Sequence, residues 1–349
     1  MIRAGIIGVT GYVGIEICRI LHQHPQVKVT YVTTKTYVGD DIAAIYPHLQ
    51  GIVFHKGAEL NVDVIIQECD LIFISLPYGQ AVKIVPLLLA AGKRVIDAGP
   101  DFRLKNPSDY VQWYKLESAP VELLNKAVYG LPEITNKDNI AKSNLIANPG
   151  CNSTAVLLAT YPALKHKIIQ PNECIFDVKV GLSGAGREPD TYKLYSEIAE
   201  NIFAIQVAGL HRHTPEIEQE LSLIAEEPIL AQFSLHIVPI TRGILVTACY
   251  KLKEPKSAHE IYTLYKRTYE NEPFIRICRL GSSAKVKNVR GTNYCDISIH
   301  VDVRTQRLIV LSAIDNMIKG AAGQAVQNMN LMYQLPQTTG LDKFVAIYP

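Results

Sequence analysis

Residues 8–14 read Gly-Val-Thr-Gly-Tyr-Val-Gly, directly after the apolar run 2–7 and before apolar residues at near-helical spacing (Ile15, Ile17, Cys18, Ile20, Leu21). A strand, a glycine turn and a helix in that order can fold in few ways, because the helix must carry the chain back so that the next strand pairs parallel to the first. That next strand, rich in β-branched residues, is predicted over 27–32. Further apolar runs follow at 71–76 and 94–97, with a helix at about 79–91 between them. Such runs alternating with helices are what a parallel sheet covered on both faces requires. The first 150 residues are therefore predicted to form a Rossmann-type, doubly wound α/β domain.

The glycine spacing, GxxGxxG, allows backbone without side chains to approach a pyrophosphate, while helix N-terminal amides and the dipole stabilise the anion. Gly8, Thr10, Gly11, Tyr12, Val13 and Gly14 are the candidate dinucleotide contacts. An NAD site usually places a carboxylate at the end of the second strand to hold the ribose 2′-hydroxyl. Here the strand runs into Thr33, Thr34 and Lys35, hydroxyls and a cation that suit a 2′-phosphate, so the cofactor is expected to be NADP(H).

The second half changes character. Longer strands are predicted at 175–181, 234–239, 243–252 and 295–302, with helices near 191–201, 215–225 and 258–269. This describes an α+β, mostly antiparallel domain over 151–312. The small-residue-rich stretch 313–331 is predicted to be a C-terminal helix returning to the first domain, which residues 313–349 would complete. Residues 106–116, polar and aromatic, are expected to form an exposed excursion. A chain of 349 residues exceeds the usual single-core size, in keeping with two domains.

Thirty-five basic residues against 33 acidic ones argue against a nucleic-acid binder relying on bulk positive charge. No apolar run is long enough to span a membrane, and the first residues read as a strand, not a signal peptide. Seven scattered cysteines without a CxxC spacing do not make a disulfide framework or a zinc knuckle. The expectation is a soluble enzyme of a reducing compartment, the cytoplasm.

Within Ala147-Asn148-Pro149-Gly150-Cys151-Asn152, proline and glycine end a strand and a helix starts at Cys151 or Asn152. A thiol at a helix N-terminus is biased towards thiolate, and the amides there can hold an oxyanion. Cys151 is thus a candidate nucleophile. His211-Arg212-His213-Thr214-Pro215-Glu216 precedes a second helix. If the segment is extended, His211 and His213 point the same way, and either could be the acid/base partner of Cys151. Two histidines and a glutamate are also metal-ligand types, but HxH is a loose signal and no further ligand stands out, so no metal is assigned. The loop 181–189 carries three glycines with Ser183 and Arg187, suited to phosphate or carboxylate; Arg242 lies between two strands; Asp101-Phe102-Arg103 follows a strand of the first domain.

Taken together, GVTGYVG, ANPGCNSTA, GLSGAGREP, HRHTPEIEQEL and KGAAGQAVQN resemble, in order and over nearly the whole chain, the N-acetyl-γ-glutamyl-phosphate reductases, which are similar in fold and mechanism to aspartate-semialdehyde dehydrogenase. The resemblance implies an oxidoreductase of arginine biosynthesis. Cys151 would attack the acyl phosphate and release inorganic phosphate; NADPH would reduce the resulting thioester to a semialdehyde. His213, or else His211, would be the acid/base. Asn152, Arg187, Arg212, Glu216 and Arg242 would contact substrate, and Ser183, Gly184 and Asn316 would flank the nicotinamide. A homo-oligomer, dimer or tetramer, is expected. A reductase of a related acyl phosphate, such as an aminoadipyl phosphate of a lysine pathway, and a non-catalytic NADP sensor are the alternatives.

Overall fold

A computed structural model describes residues 1–343, 345 and 346. Residues 344 and 347–349, the end of the expected C-terminal completion, lie outside the described residues. The chain forms two compact units: Met1–Pro149 together with Ala321–Lys343, and a second built from Gly150–Gly320.

The first unit contains a six-stranded, wholly parallel sheet of β1 (Ile2–Ile7), β2 (Val27–Thr33), β3 (Leu71–Ile74), β4 (Arg94–Asp97), β5 (Val128–Tyr129) and β6 (Leu145–Ala147), in the order β2-β1-β3-β4-β6-β5. The strand order reverses at β1, which places the turn after β1 at a topological switch point, where open α/β sheets bind ligands. All four residues of β3 are buried, as a central parallel strand covered on both faces must be. Residues 106–116 form the expected exposed excursion for the most part, with Asn106, Ser108, Val111, Gln112, Lys115 and Leu116 exposed, but two of its aromatics turn inward. Tyr110 and Tyr114 are buried with Phe102, Leu104 and Leu124, and the Tyr110 hydroxyl donates to the Pro100 carbonyl at 3.1 Å and accepts the Leu104 N–H at 3.0 Å. These two tyrosines supply packing area beneath an otherwise exposed segment.

The second unit holds β7 (Ile175–Gly181), β8 (Phe203–Ile205), β9 (Gln232–Val238), β10 (Ile244–Lys251), β11 (Ile275–Ile277), β12 (Cys295–Asp302) and β13 (Arg307–Ile314), in the order β11-β12-β13-β10-β7-β9-β8. The β7–β9 and β11–β12 pairs are parallel and the other four antiparallel. Two sequence expectations change here. Over 191–201 only two short turns form, Thr191–Lys193 and Tyr195–Ile198, because Leu194 between them is extended. Ala313 and Ile314 do not begin the last helix: they complete β13, whose pairing with β10 outweighs their small-residue character, and the helix runs over Gly323–Met332. Residues 313–320 accordingly stay in the second unit.

The helix Cys151–Lys165 is buried over most of its length and packs on β10, β13 and the helix Thr214–Ala225. Three tyrosines anchor it: the Tyr269 hydroxyl donates to the Leu158 carbonyl at 2.7 Å, the Tyr265 hydroxyl to the Ala159 carbonyl at 2.8 Å, and the Tyr250 hydroxyl bonds Thr160 at 2.7 Å. Each such bond contributes about 1 kcal/mol, so the middle of this helix is held on the second unit's core.

Candidate active site

In the first unit the glycine turn is held closely. Gly8 has φ +86°, and a Cβ there would stand 2.3 Å from the Ser75 carbonyl oxygen; a Cβ on Gly14 would stand 2.2 Å from the Gly8 carbonyl oxygen. Gly11 is different. It N-caps the helix Tyr12–His22 with no side-chain cap, and a Cβ there would meet nothing nearer than 3.5 Å. The opening amides, those of Tyr12, Val13 and Gly14, are left for a ligand, which fits a bound pyrophosphate. The hydroxyls of Thr33 and Thr34 serve the turn itself: Thr33 Oγ1 accepts the Gly8 N–H at 3.3 Å, and Thr34 Oγ1 bonds Thr10 Oγ1 at 2.9 Å. Both threonines are buried, whereas Lys35 is exposed and supplies the local cation. At the C-terminal end of β4, Asp97 is wholly buried. Burial, then the charge of Asp101, raises its carboxyl to about 7. Asp101 accepts the Gly79 and Ala81 N–H groups at 2.7 and 3.0 Å, and Arg103 Nε donates to the Asn148 carbonyl at 2.7 Å, fixing the strand end just before Pro149.

In the second unit, Cys151 is the first residue of its helix and is partly exposed. The neighbouring residues on both sides are tied down. The Gly150 N–H donates to Glu216 Oε1 at 2.8 Å, and Asn152 Nδ2 lies 3.1 Å from His213 Nδ1. Glu216, expected at the substrate, is wholly buried and spends one carboxylate oxygen on the cysteine turn. The 211–213 segment is a turn, not extended, with His213 helical at φ −81°, ψ −13°. Its two rings meet edge to face at 4.9 Å. His211 Nδ1 accepts the His213 N–H at 3.1 Å, its ring packs against Phe233, and burial with the charge of Arg212 lowers it to about 4. A ring so buried and so weakly basic is neutral near neutral pH and holds the backbone of its neighbour. His213, bonded directly to Asn152, the residue after Cys151, is the one brought to the thiol's turn.

Gly320 belongs to the small-residue stretch expected to pack closely near the cofactor; its close neighbour is instead the nucleophile, since a Cβ there would stand 2.7 Å from Cys151 Cβ. Asn316, Ser183 and Gly184 come together: Asn316 Nδ2 donates to Ser183 Oγ at 3.0 Å and its Oδ1 accepts the Gly243 N–H at 2.8 Å, while a Cβ on Gly184 would lie 3.7 Å from Asn316 Nδ2. All three belong to the unit of Cys151, not to that of the glycine turn. Arg242 is half-buried, 3.9 Å from the buried Asp315 carboxylate; Arg187 and Arg212 are exposed. Lys193, not singled out by sequence, donates to the carbonyls of Ala185 and Glu188 at 2.8 and 2.6 Å and so braces the loop of Ser183 and Arg187. Burial pushes the thiols of Cys18 and Cys174 up to about 12 and Cys278 to about 11, and raises Cys69 and Cys249, which leaves those sulfurs protonated and unreactive. Among the described residues no group of three or more His, Cys, Asp or Glu side chains is placed to hold a metal ion.

Family models match the chain in two blocks: residues 3–143 as a semialdehyde dehydrogenase NAD binding domain, and residues 151–316 as a semialdehyde dehydrogenase dimerisation domain. An N-acetyl-gamma-glutamyl-phosphate reductase of Desulforamulus reducens is 47% identical over 100% of both chains. One of Symbiobacterium thermophilum is 46% identical over 100% of this chain and 99% of the relative. The chain belongs to the N-acetyl-gamma-glutamyl-phosphate reductase family. Family membership makes it an oxidoreductase with a dinucleotide-binding Rossmann domain and a dimerisation domain. The fold is shared more widely than the family. Aspartate semialdehyde dehydrogenase II of Vibrio cholerae superposes with a TM-score of 0.73 at 18% identity, covering 96% of this chain and 98% of that one. The Candida albicans aspartate semialdehyde dehydrogenase, solved with NADP, gives 0.69 at 16% identity, covering 95% and 98%. No helix among the described residues is long and apolar enough to cross a membrane.

Proposed function

We propose that this chain reduces N-acetyl-glutamyl phosphate to N-acetyl-glutamate semialdehyde and phosphate with NADPH, through a thioester on Cys151, as a step of arginine biosynthesis in the cytoplasm. The observation that carries the reading is Cys151 at the head of an anchored helix, with Gly150 bonded to Glu216 and Asn152 to His213. The Cys151 thiolate, favoured by the helix N-terminus, attacks the acyl carbon; phosphate departs with the electron pair of its bond to that carbon. Bound NADPH supplies the hydride that reduces the thioester. His213 Nε2 gives a proton to the oxygen that becomes negative at that carbon, and takes it back as the hydroxyl becomes an aldehyde and the thiolate leaves. The opening amides of the helix Tyr12–His22 hold the pyrophosphate, and Lys35 attracts the 2′-phosphate. Arg242 suits a substrate carboxylate, with Arg187 and Arg212 as exposed cations for the phosphate. We assign cofactor binding to the unit of Met1–Pro149 with Ala321–Lys343, and catalysis and self-association to the unit of Gly150–Gly320. A dimer or tetramer would be read from light scattering.

The test follows NADPH absorbance with purified protein. Rapid consumption with N-acetyl-glutamyl phosphate, and slow consumption with aminoadipyl or aspartyl phosphate, is the expected result. A preference for the aminoadipyl compound would overturn the substrate, and NADPH binding without turnover on any acyl phosphate would overturn the activity.

A further inference from the structure

Asn152 is buried, at 3% exposure, and its two amide atoms have unequal surroundings. Nδ2 lies 3.1 Å from His213 Nδ1. Oδ1 is buried without a hydrogen-bond partner. An amide nitrogen can only donate, so in this arrangement Nδ1 of His213 accepts and the neutral ring carries its proton on Nε2. When His213 takes up a second proton, Nδ1 becomes a donor and the contact turns repulsive. A half-turn of the amide about Cβ–Cγ removes the conflict: Oδ1 then accepts Nδ1–H, and Nδ2 takes the unpartnered place. Because Oδ1 has no bond to lose, the half-turn breaks nothing except the bond it replaces. An asparagine whose oxygen was held by the protein could not do this.

The backbone that carries the ring is held on both sides. The His213 N–H donates to His211 Nδ1 at 3.1 Å, and its carbonyl accepts the Ile217 N–H at 3.0 Å. His211 meets the ring at 4.9 Å; Arg212 and Glu216 lie on the same segment, and the helix that carries Cys151 and Asn152 packs against the helix that His213 opens.

We propose that Asn152 is a positioning residue that keeps one hydrogen bond to His213 Nδ1 in both protonation states by turning its amide over, so that the proton exchanged in the reaction always sits on Nε2. This rests on the reading of His213 as the acid/base, and gives Asn152 a place beside the histidine instead of the substrate contact expected from sequence.

Two variants and one spectrum test it. Asn152→Asp, an acceptor only, should favour the imidazolium and move the His213 limb of the kcat–pH profile upward by about one pH unit or more. Asn152→Leu, with no polar end, should lower kcat by roughly ten- to a hundredfold while KM for the acyl phosphate changes little. If both variants change KM and leave the pH profile in place, Asn152 binds substrate and the proposal fails. In case the variants do not fold, nitrogen-15 NMR of the wild-type ring decides alone: the Nε2–H tautomer is expected in the neutral form, and the Nδ1–H tautomer would overturn the proposal. His213→Gln separates this inference from the one beneath it. Retained kcat there would remove the acid/base reading itself, whereas lost kcat with silent Asn152 variants would remove only the role of Asn152.

Discussion

Replacing Gly320 by alanine tests the construction of the nucleophile's turn. The added Cβ would stand 2.7 Å from Cys151 Cβ, 3.2 Å from its Cα and 3.4 Å from Ile314 Cδ1. Carbon atoms rest comfortably at about 3.5–4.0 Å, so the contact with Cys151 Cβ is short by about 1 Å. Cys151 cannot give way by a rotamer change, since its Cβ and Cα are fixed by the helix start and Gly150 is bonded to Glu216. Either that helix start or the turn Ile318–Ala322 must move. Overpacking of this kind costs about 1–3 kcal/mol, and a displacement of about 1 Å at a reacting atom costs about a hundredfold in rate. The assay is kcat from NADPH consumption, with thermal unfolding, NADPH affinity and the rate of Cys151 alkylation measured on the same preparation. Gly320→Ala is expected to lose about a hundredfold in kcat, with a lowered melting temperature and unchanged NADPH affinity. A kcat within about twofold of wild type, with unchanged alkylation, would show that the glycine is not needed against the cysteine.

Two further outcomes follow from the first unit. The folded-state pKa of Asp97, about 7, lies above that of an unfolded aspartate, so its favourable contribution is present below about pH 4 and is lost as pH rises through 7. Asp97→Asn, which cannot ionise, should flatten the decline in urea-unfolding stability between about pH 5 and pH 8, by at most about 4 kcal/mol over the full range; an unchanged slope would contradict the buried carboxyl as its source. Gly8→Ala places a Cβ 2.3 Å from the Ser75 carbonyl at φ +86°, and should raise the Kd for NADPH at least about tenfold by calorimetry, whereas unaltered binding would take the cofactor away from this turn.

Local pattern carried several strands well: β1, β4, β7 and β12 have the bounds their apolar or alternating runs suggest, while the fully buried β3 stops at Ile74, short of its apolar run 71–76. It failed where long-range partners decide. Ala313 and Ile314 look helical beside Gly320 to Gly323, but their register with Leu245 and Ile244 makes them strand. Cys151 was legible because a proline, a glycine and a polar start precede an apolar helix. The partner of Gly320 and the role of Lys193 were not, because the closeness of one to a cysteine 169 positions away, and the span of the other over two loop carbonyls, are properties of the folded chain. The choice between His211 and His213 likewise needed burial: one ring bonds its neighbour's backbone against Phe233, and the other bonds Asn152. The hydroxyls of Thr33 and Thr34 read as ligands for a phosphate, and their bonds to Gly8 and Thr10 could not be seen without the turn in place.

Rapid acid quenching of the enzyme with N-acetyl-glutamyl phosphate in the absence of NADPH, followed by peptide mass spectrometry, addresses the covalent step itself. The account predicts an N-acetyl-glutamyl group on the peptide carrying Cys151, on no other cysteine peptide, and discharged when NADPH is added before the quench. Full turnover with an unmodified Cys151, or acylation of a different residue that NADPH discharges, would contradict it.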